Sequence, residues 1–152
     1  MTEIRIEGTD YYVSSSRELT EFETELSKGL DKTASFKAYS KHVYGNNQPI
    51  TQQIGTFCFT TFPGCSGIVI SHDTYRNPDQ RGNYLANAFR EIKEKLAAQL
   101  GYNLMLCTVD TDNMPAMGNF FRSNYKPLTT FKNKDHTDHT VVLGAKKLAK
   151  RV

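Results

Sequence analysis

The chain has 152 residues, enough for one domain whose core needs neither disulfides nor a metal to hold it. With 38% hydrophobic and 23% charged residues it fits neither a disordered nor a membrane-embedded class, and its apolar runs, such as Ile68-Val69-Ile70, fall far short of the roughly 18 residues of a spanning helix. The net charge of +3 is concentrated at one end: setting aside Lys146, Lys147, Lys150 and Arg151 leaves 15 basic residues against 16 acidic, so the sequence reads as a near-neutral body with a basic tail over 146–152 rather than the basic face of a nucleic-acid binder.

The first residues alternate charged and apolar types and show no signal-peptide pattern. Three cysteines, Cys58, Cys65 and Cys107, then suggest a reducing, cytoplasmic setting. Residues 2–14 read as one strand. Ser15 and Glu18 have the spacing of a capping box, and Leu19, Phe22, Leu26 and Leu30 continue as one face of a helix of about 14 residues. Residues 31–53 carry little signal beyond a short strand at 41–44 and a turn at 45–49. The Thr- and Phe-rich stretch 54–62, the Pro63-Gly64 turn and the apolar stretch from Gly67 to His72 predict a β-hairpin, with Phe57, Phe59 and Phe62 on its buried side. Cys58 and Cys65 flank that turn and read as small, half-buried residues.

A polar loop, 76–83, leads into a strong helix on which Leu85, Phe89, Ile92 and Leu96 share one face, with Gly101 at its end. Asn103 to Val109 reads as a central strand. Asn113 and Pro115 open a second helix with Ala116, Met117, Phe120 and Phe121 facing inward, and Asn124 is a left-handed stop. Strands at 126–133 and 140–147 close the chain. The result is an α/β (α+β) domain: a mixed, mostly antiparallel sheet with a central parallel β-α-β unit over 67–109 and helices on both faces.

The strongest site candidate is the loop entering the helix at Gly82. A helix N-terminus presents free N–H groups and partial positive charge, glycine permits close backbone approach, and Arg76 and Arg81 suit phosphate. An ordinary strand-to-helix connection with solvated arginines is the competing reading. His136 and His139 have a spacing open to metal, but an exposed hairpin loop explains them, and no metal is expected. The Phe57–Phe62 stretch lacks the basic residues of a base-stacking platform.

The run Pro78-Asp79-Gln80-Arg81-Gly82-Asn83-Tyr84-Leu85-Ala86 resembles the cofactor motif of the GNAT acetyltransferase superfamily, as do the downstream Asn113-x-x-Ala116, the Phe120-Phe121 helix end and the Thr140–Leu143 strand. The likeness spans about residues 54–148. Tyr84 stands where the family has the middle glycine of its loop, Phe120 where it often has a tyrosine that protonates the departing thiolate, and Asn124 where glycine is usual. The resemblance implies acetyl transfer from acetyl-CoA to an amine by direct attack. Arg76, Gln80, Arg81, Gly82, Asn83, Tyr84, Leu85 and Ala86 would hold the cofactor with Asn113 and Phe120, and the acetyl group would lie in a gap between the parallel strands. His72 is then the first candidate for the base, with Cys107, Asp110 and Asp112 as alternatives. The acceptor, a small molecule or a protein amine, is open. The family's habit of pairing implies a homodimer. A GNAT-like binding or accessory protein that takes CoA poorly or not at all is the second reading.

Overall fold

The computed structural model describes residues 2–18, 33–44, 48–76, 83–134 and 136–149. Eight strands form one sheet: β1 (Thr2–Arg5), β2 (Tyr11–Ser15), β3 (Thr33–Tyr44), β4 (Gln48–Phe62), β5 (Cys65–Arg76), β6 (Leu104–Asp110), β7 (Lys126–Asn133) and β8 (His136–Lys147). Their order is β1-β2-β3-β4-β5-β6-β8-β7. Every pair is antiparallel except β5 with β6. Two helices are described: α1 (Asn83–Gln99), which forms the β5–β6 crossover, and α2 (Met114–Arg122). The expected mixed sheet around a parallel unit is the observed one. The helix face expected from Leu19 to Leu30 lies outside the described residues; before it, Ser15 ends β2 and its Oγ accepts a hydrogen bond from the Arg17 N–H at 3.3 Å.

The core lies between the sheet and α1. Phe89, Ile92 and Leu96 of α1 are buried against Phe36, Phe57, Phe59, Val69 and Met105 of the sheet. Phe57 and Phe89 meet edge to face at 5.9 Å, a favourable ring geometry. Gly55 makes this fit possible, because a Cβ there would run into the Phe89 ring and the Tyr75 carbonyl. The far end of α1 is tied down by Gln99, whose side chain accepts from the Glu7 N–H and donates to the Arg5 carbonyl. Gly101 follows with φ of 95°, the left-handed cap expected of it.

Several boundaries differ from the sequence reading. Residues 2–14 form two strands, because Gly8 takes φ of 73° and turns the chain back. β3 begins at Thr33, where Ala34, Phe36 and Ala38 alternate inward; two of the three are alanines, too small to show a period of two. Thr61, not Phe62, follows Phe57 and Phe59 on the buried side of β4, because from Gly55 onward burial falls on odd positions and leaves Phe62 exposed. Cys58 faces His72 and Cys65 faces Phe62 across the hairpin, and all three cysteines are free thiols. Arg76, expected in a loop, is the last residue of β5. Phe121, expected inward, is exposed, because the buried stripe of α2 runs through Phe120. Lys146 and Lys147, counted with the basic tail by charge, are the end of β8, as the strand expected over 140–147 has them; Lys146 pairs with Met105, and Leu148 beyond them is buried in the core.

Phe120 stacks on Tyr125 at 5.4 Å and lies over Gly144 of β8, where a Cβ would collide with its ring. Gly144→Ala should therefore cost about 1–3 kcal/mol through overpacking. Urea denaturation reads this directly, and an unchanged midpoint would show that Phe120 has room to yield.

Candidate active-site cleft

β5 and β6 run parallel for only three residue pairs, Ile68 with Leu104, Val69 with Met105 and Ile70 with Leu106. Beyond them both strands continue, but apart. β5 follows β4 as far as Arg76 opposite Gly55, and β6 follows β8 as far as Asp110 opposite Val141. The divergence has a local cause in β5. Cys58 pairs with His72 and Thr56 with Tyr75, so β5 carries one residue more than β4 over this stretch. That is a β-bulge, which bends its strand, and Asp73 inside it takes φ of 51°. Aspartate is one of the few side chains that visits this region readily.

The gap is the mouth of a cleft of about 760 Å³, within the usual range for a small-molecule site. Its walls are Ser71–Thr74 of β5, Phe89, Arg90 and Lys93 of α1, Cys107–Asp110 of β6, and the inner side of α2. Because α1 follows β5, its N-terminus lies at the carboxyl end of that strand, where open α/β sheets bind ligands.

On β5, His72 Nδ1 lies 3.0 Å from Asp73 Oδ2 and its Nε2 lies 2.6 Å from Thr60 Oγ1, which in turn meets Thr33 Oγ1 at 2.8 Å. The carboxylate favours the proton on Nδ1 and leaves Nε2 as the basic nitrogen. On the α1 side, Glu94 is held by Lys146 at 2.6 Å and Arg90 at 3.7 Å, and Arg90 also donates to Ser123 Oγ at 2.6 Å. Lys93 is next to this network but outside it. Its ammonium donates to Thr74 Oγ1 at 3.3 Å and lies 5.5 Å from the centre of the Phe89 ring. Burial holds Lys93 below the ordinary lysine range, with Cys107 and Glu94 acting against it. Burial also pushes the Cys107 thiol up to about 11, opposed by Lys93. Tyr125 is raised as well, mainly by burial, and its hydroxyl donates to Met105 Sδ at 3.1 Å.

At the opposite wall, Asn113 caps α2 by accepting the Ala116 N–H at 3.2 Å, with Pro in the first turn as expected. Asn124 has φ of 66°, the expected left-handed stop. The buried Oδ1 of Asn119, in the cleft wall, has no hydrogen-bond partner among the described residues. Among the described residues two triplets bring metal-ligand atoms within 4.8 Å of each other: Cys58, His72 and Asp73, and Asp110, Asp112 and His139. In each the histidine is already hydrogen-bonded to an aspartate, His139 to Asp110 at 2.5 Å.

This architecture has well-defined counterparts. A ribosomal L7/L12 alpha-N-protein acetyltransferase superposes with a TM-score of 0.66 at 11% identity, over 97% of this chain and 98% of that one. A probable acetyltransferase of the GNAT family from Chromobacterium violaceum gives 0.65 at 14% identity, over 97% and 87%. Spermidine N-acetyltransferase from Vibrio cholerae, solved with CoA and spermine, gives 0.62 at 9% identity, over 86% and 73%. The chain has the GNAT fold. No protein-family model and no curated protein matches the sequence.

Within the GNAT fold the expected residues divide into two groups. His72, Asn113 and Phe120 all line the cleft, as do the alternatives Cys107 and Asp110. Gln80, Arg81 and Gly82 lie outside the described residues; Arg76, Asn83, Tyr84, Leu85 and Ala86 are described by backbone alone, at the end of β5 and the start of α1. Lys93, Arg90, Asn119 and Tyr125 were not anticipated. The signal for Lys93 was its place four residues after Phe89, at the flank of the apolar face of α1.

The raised Cys107 value predicts slow alkylation. At pH 8 iodoacetamide should modify Cys107 far more slowly than an ordinary thiol, and the rate should still climb about tenfold per pH unit through pH 10. A rate that levels off near pH 9, followed by peptide mass spectrometry, would contradict the burial of this thiol.

Proposed function

We propose that the protein is an N-acetyltransferase that passes the acetyl group of acetyl-CoA directly to a primary amine. The observation that carries this reading is the opening between β5 and β6. Past Ile70 the β6-facing edge of β5 is without its strand partner, and an extended pantetheine arm with its two amides can pair there as a half strand. The partnerless Asn119 Oδ1 is a suitable acceptor for an amide N–H. The pyrophosphate would rest on the free N–H groups at the start of α1, with Arg76, Gln80, Arg81, Gly82 and the 83–86 backbone around it. CoA and acetyl-CoA accompany two structures of this fold, the Vibrio cholerae spermidine enzyme and an acetyltransferase from Salmonella typhimurium.

Backbone N–H groups of β5 near His72–Thr74 would polarise the thioester carbonyl. His72, which lines the cleft and is oriented by Asp73, takes the proton of the attacking amine. The acceptor is an amine that enters beside His72; spermidine and a ribosomal protein N-terminus are acceptors named for proteins of the same fold. Three free thiols favour a reducing, cytoplasmic setting, and none of the described helices is long and apolar enough to cross a membrane.

One observation favours the second reading, a weakly binding accessory protein. Phe120 brings no hydroxyl to the cleft, and the nearby Tyr125 hydroxyl is engaged by Met105. A thermal-shift titration separates the two. Acetyl-CoA at about 100 times its Kd should stabilise the chain by about 2.7 kcal/mol, and Gly82→Val should remove the shift. A flat titration would exclude the transferase. In an amine panel followed by CoA thiol release, His72→Gln should lower kcat on the order of a hundredfold while leaving the acetyl-CoA shift intact; unchanged turnover would remove His72 from the mechanism.

A further inference from the structure

Lys93 lines the cleft, and the proposed transfer does not use it. It projects from α1 across the slot between the separated strands, reaching Thr74 of β5 and flanking Cys107 of β6. The carboxylate nearest to it in sequence, Glu94, is taken up by Lys146 and Arg90. Among the described residues no carboxylate lies within ion-pair distance of the Lys93 ammonium; its described partners are a hydroxyl and the face of Phe89. A half-buried lysine without a counter-ion gives up its proton more easily than a solvated one, and a neutral amine is a nucleophile. The groups that face it are Cys107 from β6, Thr74 from β5, and Phe89, Arg90 and Glu94 from α1.

We infer that Lys93 is itself an acyl acceptor, so that the protein acylates its own cleft. This rests on the proposal that an acyl-CoA occupies the slot. The neutral Lys93 amine attacks the thioester carbonyl. A carbon–nitrogen bond forms, the carbon–sulfur bond breaks, and the proton lost by nitrogen goes to the departing sulfur, which leaves as the free thiol of CoA. The reaction occurs once per chain, consuming one acyl-CoA and leaving one amide on Lys93. No redox partner or metal is required. The slot holds the amine and the thioester side by side, which replaces a chance encounter with a local one.

The reference residue is Lys95, two positions along the same helix, which does not line the cleft and is paired with Glu91 at 2.9 Å. The full chain is incubated with acetyl-CoA, and acetylation of each lysine is followed by peptide mass spectrometry. Lys93 should acquire one acetyl group at least about tenfold faster than Lys95, and excess CoA should slow Lys93 but not Lys95. The Lys93 rate should level off at lower pH than the Lys95 rate, because its neutral form is reached sooner. Lys93→Arg should abolish the fast phase, and Lys93→Gln serves where the arginine does not pack. The inference is overturned if Lys93 and Lys95 react alike, or if CoA gives Lys93 no protection. If acetyl-CoA raises Tm while Lys93 stays unmodified, self-acylation fails and the transferase reading stands; if it does neither, both fail.

Discussion

The separation of two parallel strands is the constraint on which the rest of this molecule turns. β5 and β6 could pair along their whole length, and each pair would satisfy backbone groups that otherwise face a gap. They do not, because each is committed to an antiparallel neighbour on its other side, β4 and β8, and because the extra residue at Asp73 bends β5 away. The open edge is stable only where water or a ligand completes its hydrogen bonds, so the same geometry that leaves backbone groups unpaired also creates the slot proposed to bind acetyl-CoA.

The surroundings are fitted to hold that slot open. Gly55 lets α1 press Phe89 onto the sheet beside β5, and Gly144 lets Phe120 of α2 press onto β8. The helices therefore sit close to the two strand pairs that diverge. The Arg90–Glu94–Lys146 network, with Ser123, links α1 to β8 and to the end of α2. Such half-buried ion pairs add little net stability, but they favour one arrangement of the charged groups over others. Within this frame the polar groups sort by wall: the His72–Asp73–Thr60 chain on the β4–β5 side, and Lys93 with Cys107 between α1 and β6. One wall carries the proposed base, and the other an amine that burial keeps from holding its charge firmly.

Much of this was legible in the sequence wherever burial repeats with a clear period. Phe89, Ile92 and Leu96 gave α1, the apolar run 104–107 gave the central strand, and Asn113, Pro115 and Asn124 marked both ends of α2. The strand positions beyond His72 were not legible, because Asp73-Thr74-Tyr75 is held by its backbone pairing with β4 and shows no buried side chain. The bulge at Asp73 depends on register between strands, which side-chain patterning does not encode. Lys93 and Glu94 were hidden in Arg90-Glu91-Ile92-Lys93-Glu94-Lys95, a run that looks like a solvated helix face until the sheet and α2 close over part of it. The closing strand was read through Lys147, but Lys146 was counted with the basic tail because charge near a chain end is normally solvated; here Glu94 claims the cation.

The central claim is that an acyl-CoA completes the open edge of β5, and amide hydrogen exchange tests it most directly. Adding acetyl-CoA should slow exchange in peptides covering Ser71 to Arg76 and the start of α1, while the paired segment Ile68–Ile70 stays as it was. Unchanged exchange across 71–76 at saturating acetyl-CoA would contradict the account, whatever else the ligand did to the protein.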